Sequence, residues 1–303
     1  MHILTTGSTG FIGQNLVSFL DRNQYKNLYF LGRNTTPNWQ TIQGIGNAEA
    51  IIHLSGLAHD FKEKYVEEDY IHANYTLTKQ LYDLFLTSTT AKIFIFISTV
   101  AVRDKHEGVF VEDDEVNPVS FYGKSKRMAE EYILSNIPKN KKVYILRPCM
   151  VHGVSNKGNL NLLFSLVKKG IPYPLGIFNN ERSFLSIDNF CFIIKEFLEN
   201  KHISSGIYHL ADSESVSVKN LIQLINRELG KKVLILNIPK FIIKIIAKFG
   251  DFLPLPINTK RLEKLTENYL VSNQKLLKVI GRKLPLTSEE GLSLTIKSLN
   301  NAK

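Results

Sequence analysis

The chain has 303 residues, 44% hydrophobic and 22% charged, which fits a folded protein with a sizeable core and excludes a disordered one. Lys plus Arg is 38 and Asp plus Glu is 28, a net charge of +10, but residues 1–150 carry 16 of each sign, so the surplus lies in the second half. Residues 231–283 alone hold 12 basic and 3 acidic groups, a local +9 that argues against a uniform nucleic-acid coat and raises a phosphate, an acidic partner or a membrane surface instead.

In chain order, short apolar runs alternate with helical patterns through the first half. The strands expected are His2–Thr5, Leu28–Leu31, Ala50–Leu54, Ile93–Ser98 and Val143–Leu146, with helices Gly13–Asn23, Tyr70–Leu86 and Tyr122–Ser135 between them. This βαβ rhythm predicts a parallel sheet covered on both faces. The run IFIFIS at 93–98 has no polar face, as a central strand should not. After Pro148 a helix is expected at Asn159–Lys169, then the connector GIPYPLG, a strand-like RSFLSI, a helix Asn189–Asn200, a strand Ile207–Leu210 and a helix Val218–Leu229. The basic stretch should add one or two helices. No repeat or low-complexity tract appears. The opening MHILTTG runs straight into strand and turn, and Ile238–Ile257, the most apolar stretch, is broken by Lys240, Lys244, Lys248 and Asp251. With only Cys149 and Cys191, a reducing, cytoplasmic setting is expected.

Two constellations carry chemistry. Thr6-Gly7-Ser8-Thr9-Gly10-Phe11-Ile12-Gly13 follows the first strand and opens the first helix, where glycines let backbone approach a pyrophosphate at a helix N-terminus. Gly7, Thr9, Gly10, Phe11, Ile12 and Gly13 are the cofactor contacts expected there, the alternative being three glycines in an ordinary turn. The second strand ends Phe30-Leu31-Gly32-Arg33, without the carboxylate that receives the ribose 2′-hydroxyl in NAD sites; Arg33 suits a 2′-phosphate, so NADP is expected, with NAD as the alternative. Arg33 read without that context is a solvated loop arginine. Further on, Tyr122 and Lys126 stand at i and i+4 on one helix face, where an ammonium would lower the phenol's pKa, and Thr99 ends the preceding strand. Taken alone a Tyr-x-x-x-Lys pair is packing plus surface charge; beside the glycine turn it reads as catalytic.

These pieces, with IIHLSGLAH at 51–59, Asn74, FISTVAV at 96–102, RPCMVHG at 147–153, GNLNLLFSLVKKGIPYPLG at 158–176 and NNERSFLSIDN at 179–189, resemble the extended short-chain dehydrogenase/reductases that act on nucleotide sugars, over nearly the whole chain. The resemblance implies an α/β fold: a Rossmann-type doubly wound parallel sheet with a smaller C-terminal α/β substrate-binding lobe, divided as 1–154 with 184–211 and 155–183 with 212–303. It implies Thr99, Tyr122 and Lys126 as the catalytic triad, Lys126 also holding the nicotinamide ribose; Leu54, Ser55, Gly56 and Asn74 as further cofactor contacts; and Asn159 and Arg182 as binders of the sugar nucleotide. A homodimer is implied as well. Relatives that dehydrate sugars carry Asp-Glu after the active-site Thr, whereas Val100 and Ala101 stand here, which argues against a dehydratase. Hexose 4-epimerases of the family usually carry the second-strand carboxylate and a longer connection to the third strand. The expectation is therefore an NADP-dependent reductase of a nucleotide-linked 4-keto sugar, resembling UDP-4-keto-6-deoxy-N-acetylhexosamine reductases of surface-polysaccharide pathways. The alternative is an NAD(P)-dependent 4-epimerase, of a UDP-sugar or a polyprenyl-linked one. A non-catalytic NADP-binding sensor is opposed by the intact triad.

Elsewhere plainer readings hold. Cys149 is expected to be a buried small hydrophobe, His152 to pack, and His53 and His59 match no metal spacing, so no metal is expected. The Pro239–Phe249 helix has Lys240, Lys244 and Lys248 on one stripe and isoleucines elsewhere: a domain helix with a basic edge, or a peripheral membrane contact.

Overall fold

The computed structural model describes residues 1–31, 45–58, 64–103, 108–154, 159–253 and 258–301. Among them, β1 (His2–Thr6), β2 (Lys26–Leu31), β3 (Ala50–His53), β4 (Ile93–Ile97), β6 (Lys142–Pro148) and β10 (Gly206–Leu210) form one sheet in the order β10-β6-β4-β3-β1-β2, every pair parallel. The fold is a Rossmann-type doubly wound sheet. Its chain leaves β1 for β2 on one side and returns to β3 on the other, so the switch point, where such sheets bind ligands, lies between the ends of β1 and β3.

Alternation along β4 builds two cores from one strand. Ile95 and Ile97 pack with Leu16 and Leu20 of α1 (Phe11–Arg22) and with Phe190 and Ile194 of α6 (Ile187–Glu199). Phe94 and Phe96 pack on the other face with Leu81 and Phe85 of α3 (Leu77–Thr87) and Ala129 and Ile133 of α4 (Phe121–Leu134). A third core joins α5 (Asn159–Lys168), α7 (Val218–Leu229), α8 (Lys240–Phe249), α9 (Thr259–Thr266) and α11 (Ser288–Asn301) through Phe164, Ile222, Ile243, Leu262 and Leu292. The chain crosses back before its end: β12 (Leu270–Val271) pairs with β5 (Val109–Phe110), and Leu276 and Ile280 of α10 (Gln274–Ile280) belong to the first core.

Three sequence expectations are corrected. The single helix expected at Tyr70–Leu86 is α2 (Glu67–Ile71), a π-turn at His72–Thr76 and then α3, the interruption falling where buried Asn74 turns to other segments. RSFLSI is not one strand. It splits at Ser183 into β8 (Glu181–Arg182), antiparallel to β11 (Val216–Ser217), and β9 (Phe184–Ser186), parallel to β7 (Met150–His152), because Ser183 bonds sideways to Tyr269 O and Val271 N. The basic stretch supplies three helices, α8, α9 and α10, rather than one or two.

Candidate active site

At the end of β1 the chain turns through Gly7, whose φ of +74° a side chain tolerates poorly and whose added Cβ would lie 2.8 Å from Ser55 N. Gly13 is as constrained, since its Cβ would sit 2.2 Å from Gly7 O. Gly10 is the N-cap of α1 and offers no side-chain cap, so the first-turn amides face out of the helix end together with its positive dipole. A backbone cradle that any Cβ would fill, ending in uncapped amides, fits a dinucleotide pyrophosphate. Thr9, Phe11 and Ile12 lie within this turn as expected, Thr9 O receiving Gln14 Nε2 at 3.0 Å. Arg33 and His59 lie outside the described residues.

The loop after β3 forms the opposite wall. Leu54 N and Ser55 N bond to Thr6 O (3.3 Å) and Thr6 Oγ1 (3.1 Å). Behind it runs a buried chain whose protons can be assigned from the hydrogen-bond pattern. Thr78 donates to Asn74 O (2.7 Å), so it accepts from His53 Nε2 (2.9 Å), which leaves His53 Nδ1 to accept from Thr6 (2.7 Å). His53 is thus a neutral Nε2–H tautomer, its pKa pushed down to about 3 by burial and by Lys126. Asn74 grips the loop from the other side: its Oδ1 accepts from Leu57 N (2.8 Å), and its Nδ2 donates to Leu57 O and Ser125 Oγ (both 2.9 Å). Both amide hydrogens are engaged, so Asn74 ties loop 54–58 to α4 rather than holding a donor ready for a ligand. Gly56 has no room for a Cβ, which would fall 2.6 Å from Asn74 Oδ1 and 3.1 Å from Lys126 Nζ.

The side chains expected to react, Thr99, Tyr122 and Lys126, come from the end of β4 and the start of α4. Ser120 caps α4 by accepting from Gly123 N at 3.0 Å, which sets Tyr122 in the first turn and Lys126 one turn on. Thr99 accepts from Ala101 N at 3.1 Å and hydrogen-bonds the Tyr122 hydroxyl, so the two hydroxyls converge. Lys126, 3% exposed, donates to Ile97 O at 2.9 Å and lies 4.6 Å from the centre of the Phe96 ring. Burial pulls its pKa down to about 8, against the pull of Glu130. The expected depression of Tyr122 is not found. Burial of the hydroxyl, joined by Tyr70, holds the phenol above its ordinary value of 10, and the Thr99 bond only partly offsets them. The i,i+4 spacing places Lys126 on the right face, but its ammonium is turned toward Ile97 O and Gly56.

Sequence reasoning missed what lies beneath this pair. Glu130, one turn beyond Lys126, is fully buried and accepts from Ser98 Oγ (2.6 Å), Arg147 Nε (2.8 Å) and Arg147 Nη2 (2.7 Å). The signal was present: an arginine within the apolar strand KVYILRP needs a buried carboxylate.

A cavity of about 1140 Å³ is lined by Val100, Ala101, Val119 and Ser120, sequence neighbours of Thr99 and Tyr122, and by Lys260, Glu263, Lys264, Glu267 and Tyr269. Arg182 borders it through its bridge to Tyr269 and its bond from Nη2 to Lys264 O. The buried Nε of Arg182 has no hydrogen-bond partner among the described residues, which suits an anion. Asn159 opens α5, but its side chain lies outside the described residues. Tyr269, which sequence reasoning missed, is held high by burial and close enough to feel Tyr122. Cys149 is buried with its thiol pushed well up, as unsuited to nucleophilic work as its context suggested. His152 packs against Thr295, Nδ1 to Oγ1 2.9 Å.

A family model described as NAD dependent epimerase/dehydratase family matches residues 3–211. The chain is 28% identical to a UDP-glucose 4-epimerase of Vibrio cholerae over 326 aligned positions, covering 99% of this chain and 96% of that protein. It is 26% identical to a dTDP-4-dehydro-6-deoxyglucose reductase of Escherichia coli over 272 positions, covering 77% and 83%. Among solved structures, a UDP-glucuronic acid 4-epimerase of Bacillus cereus, in complex with UDP-glucuronic acid and NAD, shares the fold over 100% of both chains with a TM-score of 0.75 at 17% identity.

Proposed function

Since the chain belongs to the NAD dependent epimerase/dehydratase family, enzymes that use NAD(P), we propose that it reduces the 4-keto group of a nucleotide-linked hexose, with NADP as its cofactor. Gly7, Gly13 and loop 54–58 would hold the nicotinamide nucleotide, which would supply the hydride for the C4 carbonyl. The chain's own residues handle the proton. Tyr122 gives its phenolic hydrogen to the sugar oxygen as the C4 carbonyl becomes an alcohol, and Thr99 donates a hydrogen bond to the same oxygen or to the phenolate that forms. Lys126, its ammonium turned toward Ile97 O and Gly56, would hold the nicotinamide ribose at the cofactor loop, and the phenolate is reprotonated from solvent. Arg182 and Lys264 would hold the substrate's diphosphate at the far side of the cavity.

The observation that carries the proton-transfer role is the hydrogen bond that brings the Thr99 and Tyr122 hydroxyls together. The reductive direction is supported by Arg33, which stands after β2 where a carboxylate would receive the ribose of a retained NAD. Val100 and Ala101 offer no second acid–base pair, which supports simple reduction over dehydration. The substrate class favoured is a UDP-4-keto-6-deoxy-N-acetylhexosamine.

A 4-epimerase is the second reading, favoured by the match to the Vibrio cholerae epimerase along nearly its whole length. The purified protein is to be denatured and its released nucleotide identified, and NADPH consumption followed with a UDP-4-keto-6-deoxy sugar. Little retained nucleotide and stoichiometric NADPH oxidation support the reductase. Tightly held NAD, with interconversion of UDP-hexoses and no net NADPH consumption, replaces it with the epimerase.

A further inference from the structure

Helix α8 presents three distinct sectors. Ile243 and Ala247, a turn apart, are buried in the C-terminal core beside Leu262 of α9. Lys240, Lys244 and Lys248 run along one exposed edge at four-residue spacing. The remaining sector is apolar and faces away from the core: Phe241 and Phe249 are 65% and 60% exposed, Ile242, Ile245 and Ile246 are exposed between them, and Phe252 in the turn that follows is 90% exposed. No acidic residue interrupts KFIIKIIAKF. Asp251, which follows it, is taken up by Thr259, whose backbone N and hydroxyl both donate to it at 3.0 and 2.6 Å. A contiguous apolar face of this size, rimmed by charge of one sign, marks an interaction surface.

We propose that α8 and the turn after it dock flat on an anionic lipid surface, with the phenylalanines and isoleucines in the acyl boundary and the three lysines among the headgroups. Charge complementarity selects the occupant. The local block 231–283 carries +9, so a self-paired arrangement of two α8 helices would set like-charged edges against each other, whereas anionic headgroups neutralise them. The geometry is that of an interfacial helix, which combines an apolar face with a basic edge. No helix among the described residues is long and apolar enough to cross a membrane. Helix α9, packed on α8, lines the cavity beside Tyr269 with Lys260 and Lys264, so docking would bring that cavity within about one helix diameter of the lipid.

The test is flotation of the full chain with phosphatidylcholine vesicles, with and without phosphatidylglycerol, at low and high salt. It does not depend on turnover, so it can fail while the functional reading stands. Binding to the anionic vesicles, weakened by salt, is expected. Replacing all three lysines together (Lys240→Gln, Lys244→Gln, Lys248→Gln) should lower partitioning about 100-fold, at about fivefold per lysine. Phe241→Ser with Phe249→Ser should lower it by at least about tenfold. Both variants change exposed side chains only, and unchanged circular dichroism melts show that they fold. The proposal is overturned if the wild-type chain stays unbound with anionic vesicles, or if neither variant weakens binding. It is equally overturned if light scattering shows the phenylalanine variant dissociating a dimer, which would assign this face to a second copy of the chain.

Discussion

Replacing Glu130 with Gln tests whether the buried network behind the reactive pair tunes Lys126 or merely holds the fold. Glu130→Gln keeps the side chain's size and removes its charge, leaving the Arg147 guanidinium, 1% exposed, without its carboxylate partner and with His209 at 3.5 Å from Nη1. Breaking a buried pair from one side costs about 3–5 kcal/mol, and the Gln oxygen still accepts one bond, so about 3 kcal/mol is expected. For a chain of this length that lowers Tm by about 5 °C. The second effect is specific to the site. Burial has brought Lys126 to about 8, and Glu130 is the group that holds it up. Without that charge the ammonium loses its proton at lower pH. The alkaline limb of kcat/KM against pH, where Lys126 deprotonates, should therefore move to lower pH in the variant. Thermal melts and pH–rate profiles of both proteins decide it. A lower Tm with an unmoved alkaline limb refutes the tuning role, and an unchanged Tm refutes the ion pair.

Two further outcomes follow from the same geometry. Lys126→Met should be inactive yet more stable at pH 7, by on the order of 2 kcal/mol, because the native state there carries a buried charge that the unfolded chain keeps in water. The unfolded lysine holds its proton to about 10.5 and the native one only to about 8, so wild-type stability rises with pH across that window and the variant's advantage shrinks. Denaturant titrations at neutral pH and near the top of the window check the sign. Arg182→Gln should raise KM for the nucleotide sugar about tenfold or more with a smaller change in kcat, since it removes a charged donor from the substrate's far end. A loss confined to kcat would contradict that placement.

What could be read in the sequence was what depends on local spacing. The glycine turn directly after β1 announces the phosphate cradle, because Gly13 is required by its contacts with Gly7 and Ser8 a few residues away and Gly7 by its own φ of +74°. The period-two run of β4 announces a strand covered on both faces, and Tyr122 and Lys126 share a helix face by position alone. The rest is set by partners far along the chain. Asn74 breaks its helix because its amide is used by Leu57 and Ser125, 17 and 51 residues away. Arg182 and Tyr269 meet across 87 positions, and no periodicity could place the second beside the first. The Tyr122 phenol shows the same limit in electrostatics: spacing supplied the neighbour, while burial and the direction of the Lys126 ammonium decided the shift. Exposure, too, was hidden. The isoleucines of α8 are as apolar as those of the core, and only the packing of Ile243 and Ala247 reveals that the opposite side is left outward.

The central claim is that the Tyr122 hydroxyl, paired with Thr99, transfers the proton. Tyr122→Phe removes one oxygen from the convergent pair and leaves the glycine turn and Lys126 in place. Steady-state reduction of a UDP-4-keto-6-deoxy sugar, measured with NADPH titration of the same preparation, should show turnover falling by about 10²–10⁴-fold with nucleotide affinity changed by less than about twofold. Turnover close to that of the unaltered chain, with the nucleotide still bound, would contradict the account.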